Sequence, residues 1–588
     1  MDIVQSIQTY VKRMFSPDNA GGAGGSSGKM KVLLLDSETV SIISTAITQS
    51  ELLKYEVYLI DRLDNQEREK MRHLRCFVFV RPSPDSIKYL IEEFREPKYG
   101  EYHIYFSNIV KKSSLERMAE ADDHEVVRVV QEYFIDYLVI NPDLFSLSIA
   151  GPQKRIWSTT SSDMWNPDAL VRTTEGLLAA LLTLKKKPLI RYEKNSLLAK
   201  KLAQEIKYQI SQEDQLFDFR KADTPLILLI LDRRNDPITP LLSQWTYQAM
   251  VHELLGINNG RVDLSDVPEI RPELKEIVLS QDQDPFFKSN MFLNFGDLGG
   301  NIKSYVDTYQ EKTKSNMNIE SIADMKRFVE EYPEFRRLSG NVSKHVTLVG
   351  ELSKRVQQDN LLEVSELEQS LACNDSHSTD LKTIQKLLSS PNVPPENKIR
   401  LVALYALRYS KHPQNALHIL LDLLAVASTS SPSPNRIAAI SHLLSYHNSI
   451  PPLTGLFESE SIFSRARSGF KGLKGVENVY TQHTPKLEQT LNQLIKGRLK
   501  EATHPFIEDG VREKPQDIVV FMVGGTTYEE ARLVAMLNAG TPGVRIVLGG
   551  TSILRSKTFL DEIEDIVPSW LGGTAAGRLR REVGGDRR

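Results

Sequence analysis

Two cysteines in 588 residues, Cys76 and Cys373, allow one disulfide at most. A chain this long with so few is not held by a disulfide framework, and that usage fits a reducing compartment. CxxC is absent and the 12 histidines are scattered, which argues against a zinc site. Net charge is −3, too small for a global field that would select nucleic acid or an anionic membrane. No stretch approaches the roughly 18–20 apolar residues that span a bilayer. The longest aliphatic runs, such as Leu226–Leu231, are strand-sized. There is no GxxxxGK[ST] loop, no GxSxG elbow and no fixed repeat period. What remains is a soluble, cytosolic, multidomain chain with no metal and no cofactor expected.

Strand and helix signals alternate from residue 30 to about Pro142. "KMKVLLLD", "YEVYLID", "LRCFVFVRP" and "YHIYFSN" read as strands, with a helix over Thr39–Leu53 and another in "PDSIKYLIEEF". That alternation predicts a parallel sheet covered by helices on both faces. Before it, Ile3, Ile7, Tyr10, Val11 and Met14 recur at helical spacing, so the N-terminus predicts an amphipathic helix docked on its own domain. "GGAGGSSG" at 21–28 is a flexible linker by composition. A second α/β unit starts near residue 145 and includes "LILLILD". From Trp245 to about residue 500 helix signals dominate, and then "QDIVVFMVGG" and "VRIVLGG" return as strands. The late strands should complete the second unit's sheet, with the helical region inserted into it. The Gly- and Arg-rich tail, 572–588, predicts no regular structure.

Two places invite a chemical reading. In "LILLILDRRNDPITPLLSQW" a buried strand ends in Asp232, Arg233, Arg234 and Asp236, at the rim where α/β sheets place ligands. Asp232 and Asp236 could hold a divalent metal for phosphoryl chemistry. The plainer reading is a structural cluster of paired charges, since convergent partners and a phosphate loop are missing. "FMVGGTTYEEARL" could present backbone N–H groups to a phosphate at Gly524 and Gly525. It lacks GxGxxG, and a tight turn capped by Thr526 or Thr527, with Glu529 or Glu530 at the positive helix end, explains it as well.

"LDRRNDPITPLLSQWTYQAMVHELLGI" resembles the signature of the Sec/Munc (SM) family of SNARE-mediated fusion regulators. "KIRLVALYALRY", "GVENVYTQHTPKLEQTL" and "FMVGGTTYEEARLV…GVRIVLGGTSI" are similar to the same family in the same order, and the resemblance covers residues 30 to 565. It looks most like the trans-Golgi and endosomal branch. The resemblance implies an α/β multidomain arch of three domains, two with parallel sheets and one a mostly helical insertion. Their spans would be 1–142, 143–245 with 505–571, and 246–504. It implies a monomer that is not an enzyme, working in the cytoplasm and reaching Golgi, endosomal or vacuolar membranes through SNAREs. Its partners would be a syntaxin-type SNARE, with that SNARE's N-terminal peptide, and a vesicle SNARE.

The peptide pocket implied by the family falls in "NIVKKSSLERMAEADDHEVVRVV". Two capping boxes, Ser113 with Glu116 and Asp122 with Glu125, predict a short helix and then a longer one. Val110, Leu115, Met118 and Val130 match the pocket lining, and Val126 and Val127 share a stripe with Val130; these stripes could equally be core. Asp36 and Arg62, at the first two strand ends, are placed for the central cleft. The family's helical hairpin falls at 299–356. Pro333 marks its hinge, unless the helix simply ends at Tyr332, and Val346 and Leu348 match contacts with the vesicle SNARE.

Overall fold

In the computed structural model the described residues are 3–15, 30–151, 154–220, 224–317, 322–426, 433–453, 455–457, 480, 482–508 and 514–583, without the side chains of 315–330 and 571–583. The Gly-rich stretch 21–28 and the last residues of the tail, 584–588, lie outside them.

Five strands form the first sheet: β1 Lys31–Leu35, β2 Val57–Arg62, β3 Met71–Val80, β4 Tyr99–Phe106 and β5 Val127–Glu132. Their order is β2-β1-β3-β4-β5 and every pairing is parallel. β1, and β3 from Cys76 onward, are apolar on both faces because helices cover both sides, as a parallel sheet requires. Helices Pro84–Arg95 and Lys112–Ala121 bury Leu90, Phe94 and Met118 on one face. The N-terminal helix Ile3–Phe15 buries Ile3, Ile7, Val11 and Met14 on the other. It is docked as its periodicity predicts: the Ile3 N–H donates to the Pro142 carbonyl at 3.1 Å, and the Tyr105 hydroxyl to that of Met14 at 3.3 Å.

The second sheet has six strands: β6 Leu138–Asn141, β7 Leu144–Ser146, β8 Pro188–Tyr192, β9 Leu226–Asp232, β12 Asp517–Val523 and β13 Arg545–Gly550. Two short strands in the intervening region, β10 Arg261–Asp263 and β11 Glu276–Val278, pair with each other. The six-stranded order is β6-β7-β13-β12-β9-β8. β12, from near the end of the chain, lies directly between β9 and β13. All seven residues of β9 are buried, so the aliphatic run is a central strand covered on both faces. β6 belongs to this sheet although it precedes Pro142, so the sheet starts before the boundary read from composition. A buried network joins the two sheets. Arg81, at the end of β3, and Arg172, on helix Pro167–Leu184, both donate to Asp136, and Asn108 donates to it at 2.9 Å.

Several local expectations fail. The single helix over Thr39–Leu53 is two, Thr39–Ala46 and Gln49–Lys54, because Thr48 and Glu51 form a capping box that starts a new helix. The helix expected after Asp122 is strand β5. Its β-branched run favours a strand, and the Asp122 carboxylate accepts from the Val126 and Val127 N–H groups at 2.9 and 3.1 Å instead of capping a helix. The helix before it starts at Lys112 with no side-chain cap, so the Ser113–Glu116 box does not form. Helix Ser556–Val583 runs on through residues 572–583, where Ala, Leu, Arg and Glu outweigh the glycines as helix formers.

Candidate functional site

The charged signature after β9 is buried and fully paired. The Arg233 guanidinium meets Glu530 at 2.5 Å and donates to the carbonyls of Gly525 and Asp236 at 3.1 Å. Arg234 holds Asp232 at 2.7 Å and reaches the Ser162 carbonyl and the Ser449 hydroxyl. Asp232 also accepts from the Ser196 hydroxyl at 2.5 Å, and Asp236 accepts from Thr239 and from the Lys486 N–H. Burial pushes both aspartates up, but it is outweighed by Arg234 with Ser196 at Asp232, and by Arg233, His483, Thr239 and Lys486 together at Asp236, so both carboxyls lie below their usual range. Both oxygens of Asp232 and of Asp236 are occupied, and among the described residues no three His, Cys, Asp or Glu side chains could hold a metal ion. The cluster ties together segments from residue 162 to residue 530. Opposite it, Thr527 and Glu530 form a capping box on helix Tyr528–Gly540, so the diglycine turn is a capped helix start.

The edge of the first sheet carries an open apolar ledge. β4 and β5 pair as Tyr102↔Val127, then His103↔Val129, so β5 bulges at Arg128. Paired residues share a face. The bulge therefore brings Val130, opposite Ile104, to the same face as Val127 and helix Lys112–Ala121. Val110 and Met118 are 7% and 4% exposed and belong to the core beneath. Leu115, Val126 and Val127 are half-buried against that core, and Val130 is 44% exposed on the edge strand. The six predicted residues are therefore brought together, with Val130 the exposed one and Leu115, Val126 and Val127 half-buried. The Val110 N–H donates to Glu132 on β5 at 2.8 Å, which fixes the loop before the helix to the strand.

Helices Thr39–Ala46 and Gln49–Lys54 face residues 257–261 and 278–283 across a cavity of ≈600 Å³. Val40, Ile43, Ile60 and Asn259 line it; Asp36 and Arg62 do not. The Asp36 carboxylate accepts from the backbone N–H groups of Glu38, Thr39 and Arg81 and from the Ser86 hydroxyl. These four donors occupy both of its oxygens. Arg62 is exposed on the edge strand and holds Asp64 at 2.6 Å.

Helix Phe295–Met317 packs along Ile322–Gln358, and Pro333 lies inside the second as one uninterrupted helix, not at an end after Tyr332. Just beyond Pro333 the pair is held by Phe335 stacked on Tyr309, ring centroids 5.6 Å apart, and by the Ser339 hydroxyl donating to Tyr309. Further along the same helix, buried His345 shares hydrogen bonds with the Tyr247 hydroxyl at 2.7 Å and with Asp284 at 2.6 Å. Although burial pushes Asp284 up, His345 and Lys344 hold its carboxyl down at about 2. Asp284 also caps helix Pro285–Asn290, so this network roots the hairpin in the body of the protein. Val346 is 43% exposed, but Leu348 is fully buried in that root and cannot meet a partner without disrupting it.

Residues 31–562 match the Sec1 family. The chain belongs to it. Vacuolar protein sorting-associated protein 45 of Schizosaccharomyces pombe is 52% identical over 569 residues, covering 96% of this chain and 99% of the relative. The human protein of the same name is 49% identical over 565 residues, covering 96% of both. Among solved structures, the SM protein Vps45 in complex with the Qa SNARE Tlg2 superposes with a TM-score of 0.91 at 65% identity, covering 97% of this chain and 99% of that one.

In this Sec1-family chain the signature is a structural junction, and its glycines are part of it. Gly524 has φ +92, and a Cβ there would come within 2.8 Å of the Arg233 Cβ. Gly524→Ala should therefore cost about 1–3 kcal/mol from backbone strain alone, with a further penalty for displacing Arg233. A melting curve checks it; an unchanged midpoint would show that the turn can relax. Sequence reasoning missed the Tyr247–His345–Asp284 network and the cavity-lining Val40 and Ile60. The network's members lie far apart in the chain and carry no local pattern, whereas Val40 lines the cavity with Ile43 and Ile47 at helical spacing, a stripe that reads as core.

Proposed function

We propose that this Sec1-family chain binds a syntaxin-type (Qa) SNARE and promotes SNARE complex assembly for vesicle fusion in endosomal, trans-Golgi and vacuolar transport. The observation that carries this reading is the similarity, over 97% of the chain, to a Vps45 solved with the Qa SNARE Tlg2. The ledge of Leu115 and Val130 receives the SNARE's N-terminal peptide, over a floor of Val110, Met118, Val126 and Val127. The ≈600 Å³ cavity receives its helical body, with Val40 and Ile60 in place of Asp36 and Arg62. The hairpin around Pro333, with exposed Val346, receives the vesicle SNARE.

The chain acts as a monomer and without catalysis, since Asp232 and Asp236 are occupied by Arg234 and Thr239. It works from the cytoplasm, held at its membranes by SNAREs; no helix among the described residues is long and apolar enough to cross a bilayer. The reading is tested by adding the purified chain to a Qa SNARE and its partner SNAREs and following four-helix assembly. Faster assembly at stoichiometric amounts is expected; an unchanged rate would refute it.

Val130→Arg should weaken the N-terminal peptide at least about 30-fold, because interface anchors lose 2 kcal/mol or more on truncation and 1.4 kcal/mol is a decade. The fold should be untouched, since Val130 is half exposed on an edge strand. Leu115→Arg, by contrast, should also lower the melting temperature, because Leu115 packs on the core. Equal peptide affinities for wild type and Val130→Arg would remove the ledge from the binding site.

A further inference from the structure

A second cavity, ≈430 Å³, opens at the far edge of the six-stranded sheet, beside β8. Its floor is Arg191, 5% exposed, whose guanidinium lies 4.7 Å from the Phe506 ring centroid. Arg191 donates to the carbonyls of Leu499 and His504 at 2.7–2.9 Å, and no carboxylate pairs with it among the described residues. Burial therefore pulls the guanidinium's pKa down, with only the charge of Glu501 opposing. Buried cations are ordinarily paired, because an uncompensated charge in the interior is costly.

The rim adds to that charge. Helix Lys486–Ile495 ends in a Schellman motif: the Gly497 N–H donates to the Leu494 carbonyl and the Arg498 N–H to that of Gln493, with Gly497 at φ +67. The turn carries exposed Arg498 and Lys500 to the cavity mouth, and neither forms an ion pair among the described residues. Three cations and one carboxylate, Glu501, thus line one cavity. Anchoring the 499–504 loop would explain Arg191 alone; it does not explain two further unpaired cations at the same opening.

We propose that this cavity is a binding site for a compact polyanion carrying several phosphate monoesters, the chemistry of a phosphorylated inositol. Arginine and lysine recognise phosphate through charge-assisted hydrogen bonds, and the volume suits one such ring better than an extended phosphopeptide. The group could be a free inositol phosphate or the headgroup of a membrane lipid.

The test titrates the full chain with inositol hexakisphosphate by calorimetry. Saturable binding at a single site is expected, weakening as salt rises. Arg498→Ala with Lys500→Ala should weaken it at least tenfold without changing the melting curve, because both side chains are exposed and unpaired. Lys111→Ala with Lys112→Ala, a basic pair on the first domain, should not. Flotation with phosphatidylcholine vesicles, with and without a phosphatidylinositol phosphate, separates the sources. Recruitment competed by the soluble compound assigns the lipid headgroup, and soluble binding without recruitment assigns the free compound. Absence of binding, equal binding by the Arg498/Lys500 variant, or binding of a phosphoserine peptide in place of the inositol phosphate would overturn the proposal.

Discussion

Arg233→Ala should destabilise the chain by roughly 3–5 kcal/mol, the usual cost of removing one partner of a buried ion pair. The loss is large because the arginine leaves three partners behind. Glu530, buried and 2.5 Å from the guanidinium, keeps its charge with only Thr526 and Thr527 to bond it. The carbonyls of Gly525 and Asp236 lose their donors. The second sheet and the helices after β9 then lose a shared fastener, so soluble expression should fall with the melting temperature. Glu530→Gln is the milder control: it keeps an acceptor for Arg233 while removing the charge that the mutated arginine would strand. If Arg233→Ala melts like wild type, the signature is not a structural junction and its charged groups are available for something else.

Pro333→Ala should stabilise the hairpin helix by up to about 3 kcal/mol, the cost a proline imposes inside a helix. Helix Ile322–Gln358 runs through Pro333 without interruption, so the alanine adds a backbone hydrogen bond and removes a ring clash in a conformation already adopted. Amide exchange between residues 331 and 340 should slow by up to about a hundredfold. The root at His345 and Asp284 should not change, since it lies a full three turns away and is held by its own network. If the extended hairpin is the form that receives the vesicle SNARE, assembly should also accelerate. Unchanged exchange on both sides of residue 333 would mean that the proline does not limit the helix.

The parts of the fold that were legible in the sequence are those set by long, one-sided patterns. β9 is an unbroken aliphatic run ended by charges, and the N-terminal helix repeats its apolar residues every three or four positions; both form as their patterns predict. Short elements defined by their neighbours were not legible. β6 and β7 have only four and three residues; β7 is a strand because β13 lies alongside it, and β6 because it pairs with β7. The stretch after Asp122 has the letters of a capping box, but its valines pair with β4, and tertiary pairing outweighs a local cap worth about 1 kcal/mol.

The candidate site divides in the same way. Val130 shares the face of Val127 because of a bulge at Arg128, which the partner strand's register decides and the sequence does not display. Asp36 looked available because it ends a strand; its carboxylate is taken up by backbone donors that come from Glu38, Thr39 and Arg81. Val346 and Leu348, two residues apart on one helix, point to opposite environments, and only the packing of the root tells them apart.

We propose that this chain grips a Qa SNARE at two separate surfaces. Calorimetric titration of the full chain with the cytoplasmic region of a Qa SNARE, with and without its N-terminal peptide, tests it directly. Saturable binding in equal proportion is predicted, weakened but not abolished both by removing the peptide and by Val130→Arg, because the cavity beneath Val40 and Ile60 still holds the helical body. Absence of binding, or binding that neither change affects, would contradict the account.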